Sequence, residues 1–153
     1  MKLIIMEMET NNIKFVYFCC RYMTRVAILL GANSTDAKDQ LWEVILFEQQ
    51  LANISVAEDD RQDTGRIYTK VTIDELSSSV PEIKWLTFFN NAIPIEINGT
   101  EKLVSYSMPF FKHLGIIIQL TDKKVLYNYI IWRLVMSAMP FLPPTYQARL
   151  QNY

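Results

Sequence analysis

The chain contains one histidine, two cysteines that stand side by side, and four glycines in 153 residues. Each scarcity removes a class of function. Two imidazoles one helical turn apart are impossible, which excludes a thermolysin-type zinc centre and leaves any catalytic triad dependent on His113 alone. Cys19 and Cys20 are adjacent, so each needs a distant thiol that the sequence does not contain, and a disulfide framework is excluded. No glycine-rich phosphate loop appears. Charge of one sign is also missing: 15 basic and 16 acidic side chains leave a net charge of -1, with the lysines and arginines scattered instead of gathered into the basic stripe of a nucleic-acid binder. The longest apolar stretch, Tyr129 to Leu142, is broken by Arg133 and Pro140 and falls short of the ~20 residues a spanning helix needs. The apolar patch before Glu7 is too short for a secretory signal, so neither a leader nor a membrane anchor is read here.

What is present is a globular balance, 50% hydrophobic and 20% charged, at a length suited to one ordinary domain. The periodicity is helical. Ile13, Val16, Tyr17, Cys20, Met23, Ala27 and Leu30 recur at three- and four-residue steps and predict a first helix that Gly31 ends. Ser34, Thr35 and Asp36 offer cap oxygens to a second helix carrying Leu41, Trp42, Ile45, Leu46 and Leu51, expected to pair with the first. Thr72-Ile73-Asp74-Glu75 has the form of a capping box and predicts a short helix stopped before Pro81. A compact aromatic helix follows with Trp85, Leu86, Phe88 and Phe89. Pro94 to Tyr106 reads as extended around Asn98-Gly99, predicting a small β-hairpin near 95–106. Ser107 and Pro109 open a helix with Phe110, Phe111, Leu114, Ile117 and Ile118. Thr121 and Asp122 start the last one, which presents Val125, Leu126, Tyr129, Ile130, Leu134, Val135 and Met139 as a broad apolar face and is stopped by Pro140, Pro143 and Pro144. The fold class is mainly α, a helical-bundle-like part of a larger all-α domain.

Candidate chemistry is sparse. His113 lies on a helix between Lys112 and Leu114 with no evident partner, and neither Cys19 nor Cys20 has the neighbours that activate a thiolate. Asp59, Asp60 and Asp63 resemble part of a calcium loop, but that register puts Arg61 in a ligand slot and Thr64 where the turn requires glycine. No catalytic or metal-binding residue is assigned. Glu48 sits in a strongly apolar helix, and a charge there needs a partner. Arg133, Arg61 and Arg66 are the candidates for a structural ion pair, with snorkelling of Arg133 to solvent as the alternative. Asn33, Asn53 and Asn98 each begin an N-x-[ST] glycosylation acceptor, more than chance provides, and point towards the secretory route.

Several strings in order resemble the neprilysin and endothelin-converting enzyme family of zinc metallopeptidases. They are Tyr22-Met23-Thr24-Arg25-Val26-Ala27 with Leu29-Leu30-Gly31-Ala32, then Phe47-Glu48 with Leu51-Ala52-Asn53-Ile54-Ser55, and Asp60-Arg61-Gln62-Asp63. Ile67-Tyr68-Thr69-Lys70-Val71-Thr72 with Glu75-Leu76, Ile83-Lys84-Trp85-Leu86, Val104-Ser105-Tyr106 and Asn128-Tyr129-Ile130-Ile131-Trp132-Arg133-Leu134-Val135 complete the set. The resemblance implies a cell-surface or extracellular enzyme that cuts short peptides, with a zinc domain facing a large helical domain. It places residues 21–147 in the helical part, with 1–20 divergent and 148–153 a truncated end. The family's zinc is held by H-E-x-x-H and a further glutamate, a pattern absent here, so zinc belongs to the full-length enzyme and the chain needs no cofactor of its own. The expected partners are the zinc catalytic domain and, in the full-length form, a peptide substrate. A cap shaped to meet another domain should leave an apolar face uncovered. The alternative reading is a stand-alone peptide- or protein-binding module that kept the cap fold.

Overall fold

The computed structural model describes residues 12–55 and 69–144. Along them run α1 (Asn12–Leu29), α2 (Ala37–Asn53), β1 (Thr69–Thr72), α3 (Ile73–Ser79), α4 (Trp85–Ala92), β2 (Lys102–Ser105), α5 (Met108–Leu120), α6 (Lys123–Ala138) and a 3₁₀ turn (Met139–Phe141). The fold is mainly α with a small antiparallel sheet, as the helical periodicity and the extended segment near 95–106 predict. It divides into two compact units, one drawn from Met1–Ala52 and Thr121–Tyr153, the other from Asn53–Leu120. Arg61, Arg66, the Asp59 to Asp63 connector and residues 148–153 lie outside the described residues.

The first unit is built from α1, α2 and α6. Cys20, Met23 and Val26 form the buried stripe of α1, and Leu41, Val44 and Ile45 that of α2, all in one cluster around Trp132 of α6. Gly31 ends α1 as predicted. At φ +99° it takes the left-handed conformation, and the Ala27 and Ile28 carbonyls accept from the amides of Ala32 (2.9 Å) and Gly31 (3.0 Å), closing a Schellman turn. Tyr17, expected in the α1 stripe, is instead 56% exposed beneath the Lys38 ammonium, 5.8 Å from its ring centroid. Trp42 and Leu46 of α2 also face outward, because the 41-44-45-48 spacing turns the opposite arc of the helix into the core.

The last helix differs most from its predicted face. Ile130 and Leu134, expected inside, are 62% and 63% exposed, whereas Trp132 is buried. The inward stripe runs through Tyr129, Trp132, Met136 and Met139. Apolar residues occupy most of the circumference of α6, so hydrophobicity alone does not choose its inner arc. The largest side chain with room in the core does. Asp122 caps this helix, its carboxylate accepting from the Lys124 amide at 2.7 Å, and Pro140 falls in the 3₁₀ turn that ends it.

The second unit centres on Ile73, Leu76, Val80 and Trp85. The capping box of α3 is complete: Thr72 Oγ1 accepts from the Glu75 amide at 3.2 Å, and Glu75 Oε2 accepts from the Thr72 amide at 2.7 Å. Trp85 Nε1 donates to the Val80 carbonyl at 3.1 Å, so the indole is buried with its one donor satisfied. Phe111 and Phe89 pack against it, at 5.2 and 6.2 Å between ring centroids. β2 lies inside the segment predicted as extended, and its partner is β1, paired Thr69↔Ser105, Lys70↔Val104, Val71↔Leu103 and Thr72↔Lys102. Asn90 holds the arm that precedes β2. Its carboxamide accepts from the Ile97 amide (2.8 Å) and donates to the Ile97 carbonyl (3.2 Å). Gly115 of α5 is buried, and a Cβ there would meet the Glu82 carboxylate at 2.6 Å and Val80 at 3.0 Å, so the absent side chain permits close packing.

The two caps carry a prediction. Thr72→Ala and Asp122→Ala are each expected to lower stability by about 1 kcal/mol, seen as a fall in the urea midpoint with faster amide exchange confined to α3 and α6 respectively. Unchanged exchange at both helix starts would show that the caps are not holding them.

Candidate functional site

The helical spacing that buries Leu41, Val44 and Ile45 carries Glu48 onto the same face of α2. The result is a carboxylate inside an apolar interface. Its side chain is 13% exposed, and Oε1 lies 3.9 Å from Nη1 of Arg133. That is an ion-pair distance, outside hydrogen-bond reach, and Oε1 is a buried oxygen with no hydrogen-bond partner among the described residues. Arg133 itself is 51% exposed. Its guanidinium lies over the Tyr129 ring, 6.0 Å from the ring centroid, and with half the side chain exposed it both approaches Glu48 and reaches water. Phe47 meets Tyr129 edge-on at 4.9 Å. Burial pushes the Glu48 carboxyl above its ordinary pKa, with the Arg133 charge opposing. Burial likewise raises the Tyr129 phenol against the same arginine.

The thiols are equally withdrawn. Cys20 is buried, and Cys19 partly so. Burial is the main cause raising both thiol pKa values, reinforced at Cys19 by the Glu48 charge and partly offset at Cys20 by the Thr24 hydroxyl. A thiol pushed up in this way is the reverse of an activated nucleophile. His113 is exposed on α5. Among the described residues no group of three or more histidine, cysteine, aspartate or glutamate side chains could hold a metal ion. The described residues therefore offer no donor set for a zinc ion.

Asn33, Asn53 and Asn98 are all exposed. Two of them share a local geometry in which the asparagine oxygen accepts from the amide and hydroxyl of the threonine two residues on. These distances are 3.0 and 2.8 Å at Asn33 with Thr35, and 3.0 and 2.6 Å at Asn98 with Thr100. Both acceptors are thus set in Asx turns.

One feature had no sequence signal. A pocket of about 250 Å³ opens in the first unit among Val26, Leu30, Leu41, Ile131, Trp132 and Val135. Gln40 and Asn128 supply its polar side, joined by a 3.2 Å bond from Asn128 Nδ2 to Gln40 Oε1. Only packing brings these residues together, since 88 positions separate the two amides.

These features define a mainly helical protein region with an apolar pocket and an ion pair on an inward helix face. The amino-terminal family model described as Peptidase family M13 matches residues 7–153. The chain belongs to that family, and the resemblance carried by the strings from Tyr22 to Val135 is confirmed. Relatives include endothelin-converting enzyme 1 of Mus musculus, 37% identical over 141 residues that cover 91% of this chain and 18% of the relative. The Bos taurus enzyme is 37% identical over 141 residues, covering 91% of this chain and 19% of the relative. The Homo sapiens enzyme is 36% identical over 141 residues, with shares of 91% and 18%. The chain thus spans about a fifth of the length of the curated relatives it matches.

The Glu48 environment fixes a sign for pH dependence. Because its folded pKa is raised, its contribution is fully present below the unfolded value of about 4.3 and is lost as pH rises through the folded value. Glu48→Gln, which mimics the protonated acid, is expected to be more stable than the parent at pH 7, with the difference vanishing near pH 4. Arg133→Ala should move the Glu48 titration, followed by carboxyl NMR, further upward. A Gln variant less stable than the parent at pH 7 would reverse the assignment.

Proposed function

We propose that this chain is a non-catalytic helical cap region of a neprilysin-like zinc endopeptidase, restricting which peptides reach a metal held elsewhere in the protein. Membership of peptidase family M13, combined with a single histidine in the sequence, carries the reading. A metal centre of the thermolysin kind draws two ligands from one helical turn, and this chain supplies neither the pair nor a described acidic cluster to replace it. In this reading zinc and the water-activating glutamate belong to the catalytic domain, and the chain contributes surface and shape. The natural partner is that domain, and the substrate of the whole enzyme is a short peptide. The three exposed asparagines fit an extracellular or cell-surface setting. No helix among the described residues is long and apolar enough to cross a membrane.

The purified chain, equilibrated with Zn²⁺ and dialysed, is expected to retain no stoichiometric metal and to cleave no fluorogenic peptide above background. Retention of one zinc together with cleavage sinks the reading. Full-length transcript sequencing separates the cap from a stand-alone binder: an open frame running on from Tyr153 into H-E-x-x-H supports the cap, and a stop codon with secretion of the product supports the binder.

Expressed through a secretory pathway, the chain should lose mass on treatment with peptide-N-glycosidase. Asn33→Gln, Asn53→Gln and Asn98→Gln should each remove one step of that loss. Secreted protein with no enzyme-sensitive mass would contradict the glycosylated setting.

A further inference from the structure

Asn98 is followed by Gly99, the one Asn-Gly step in the sequence, and packing leaves that glycine no substitute. The Asp74 carboxylate of α3 lies against the Gly99 backbone, in the space any Cβ would take. The Asp74 amide donates to the Gly99 carbonyl at 2.9 Å, and the Glu101 amide donates to the Asn98 carbonyl at 3.2 Å. The loop is thereby tied to the start of α3, with Asn98 exposed.

Two features of this loop act on the Asn98 carboxamide. The Thr100 amide and hydroxyl both donate to Oδ1, at 3.0 and 2.6 Å. They draw electron density from Cγ and stand where negative charge develops when a nucleophile adds there. The nucleophile at hand is the next backbone nitrogen. The Gly99 N–H makes no hydrogen bond among the described residues, and its own residue has no side chain to shield it. Asn33 provides the contrast. Thr35 donates to its Oδ1 in the same way, but the Thr35 hydroxyl also lies 2.9 Å from Asp36 Oδ1, which competes for its single proton, and the residue after Asn33 is Ser34. Asn53 is followed by Ile54, whose branched Cβ crowds the nitrogen.

We propose that Asn98 is a self-modification site, converted to aspartate and isoaspartate through a cyclic imide formed with Gly99. The Gly99 nitrogen gives its proton to solvent and bonds to Asn98 Cγ, while the carbonyl π pair moves onto Oδ1, where the Thr100 donors hold it. As that pair returns, the Cγ–Nδ2 bond breaks and Nδ2, taking a proton from water, leaves as ammonia. Water then opens the imide. Opening at Cγ gives aspartate, and opening at the Asn98 backbone carbonyl gives isoaspartate, whose main chain is one methylene longer. Water is the only co-reactant. The longer product displaces the carbonyls held by the Glu101 and Asp74 amides and loosens the start of α3. Nδ2 is also the atom that carries a glycan at an occupied acceptor, so the inference concerns the unglycosylated chain and stands apart from the cap reading.

The test uses the 153-residue chain made in bacteria, without glycans, incubated at physiological pH and temperature. Peptide mass mapping follows each asparagine, and labelling by an isoaspartyl methyltransferase counts the longer product. Both products are expected to accumulate at position 98, while positions 33 and 53 remain asparagine. Thr100→Val should slow conversion of the folded chain about fivefold, the worth of one neutral hydrogen bond, and Thr100→Ser should restore it. Thr100 is exposed, so neither change disturbs the core, and unaltered circular dichroism checks this. Unfolded in urea, the parent and Thr100→Val should convert at the same rate, because the donors are no longer held on Oδ1. Asn98 left intact in the folded parent while the urea-unfolded chain converts overturns the proposal. Conversion at position 33 as fast as at 98, or equal rates for the folded parent and Thr100→Val, also overturns it.

Discussion

Burying Trp132 among Cys20, Met23, Val26, Leu41, Val44 and Ile45 sets the rotation of α6, and the other features of the first unit follow from that rotation. Removing such an indole costs on the order of 3–5 kcal/mol, more than any surface contact on the helix offsets. With Trp132 turned in, Asn128, one turn back, meets Gln40, and Arg133, the next residue round, comes beside Glu48. Ile130 and Leu134 are then carried outward by the same geometry. The ion pair, the amide pair, the pocket and the bare apolar arc are consequences of one packing choice.

Glu48 shows what that choice costs. Its position in the 41-44-45-48 stripe makes it an inward residue whatever its chemistry, and a carboxylate there loses its hydration without gaining a hydrogen bond at Oε1. A guanidinium at 3.9 Å and half exposed returns part of the lost stabilisation, since the pair remains near water and in a region of intermediate dielectric. The second unit resolves the equivalent problem differently. Three polar groups there have local partners: the Trp85 indole uses the Val80 carbonyl, Ile97 uses the Asn90 carboxamide, and the start of α3 uses its own capping box. These ties let β1 and β2 pair across some thirty intervening residues with only four residues in each strand.

Among the described residues, what the fold assembles is mainly apolar contact. The thiols are withdrawn and raised in pKa, the histidine is exposed, and the largely buried Glu48 carboxylate faces Arg133.

Helix starts and stops were legible because they depend on neighbours in the chain: Gly31 closing α1, Thr72 with Glu75 opening α3, Asp122 opening α6 and Pro140 ending it each act within a turn of backbone. Family membership was legible for a related reason, since the order of short strings survives without coordinates, and a count of imidazoles already excluded a two-histidine zinc site. Tertiary structure alone decided which arc of α6 faces inward, that β2 pairs with Thr69–Thr72, that Arg133 is the described arginine beside Glu48, and that Gln40 and Asn128 share one pocket. These are contacts between residues distant in sequence. They are settled by competition among apolar faces for a limited volume, and periodicity reports that a face is apolar without saying which neighbour will cover it.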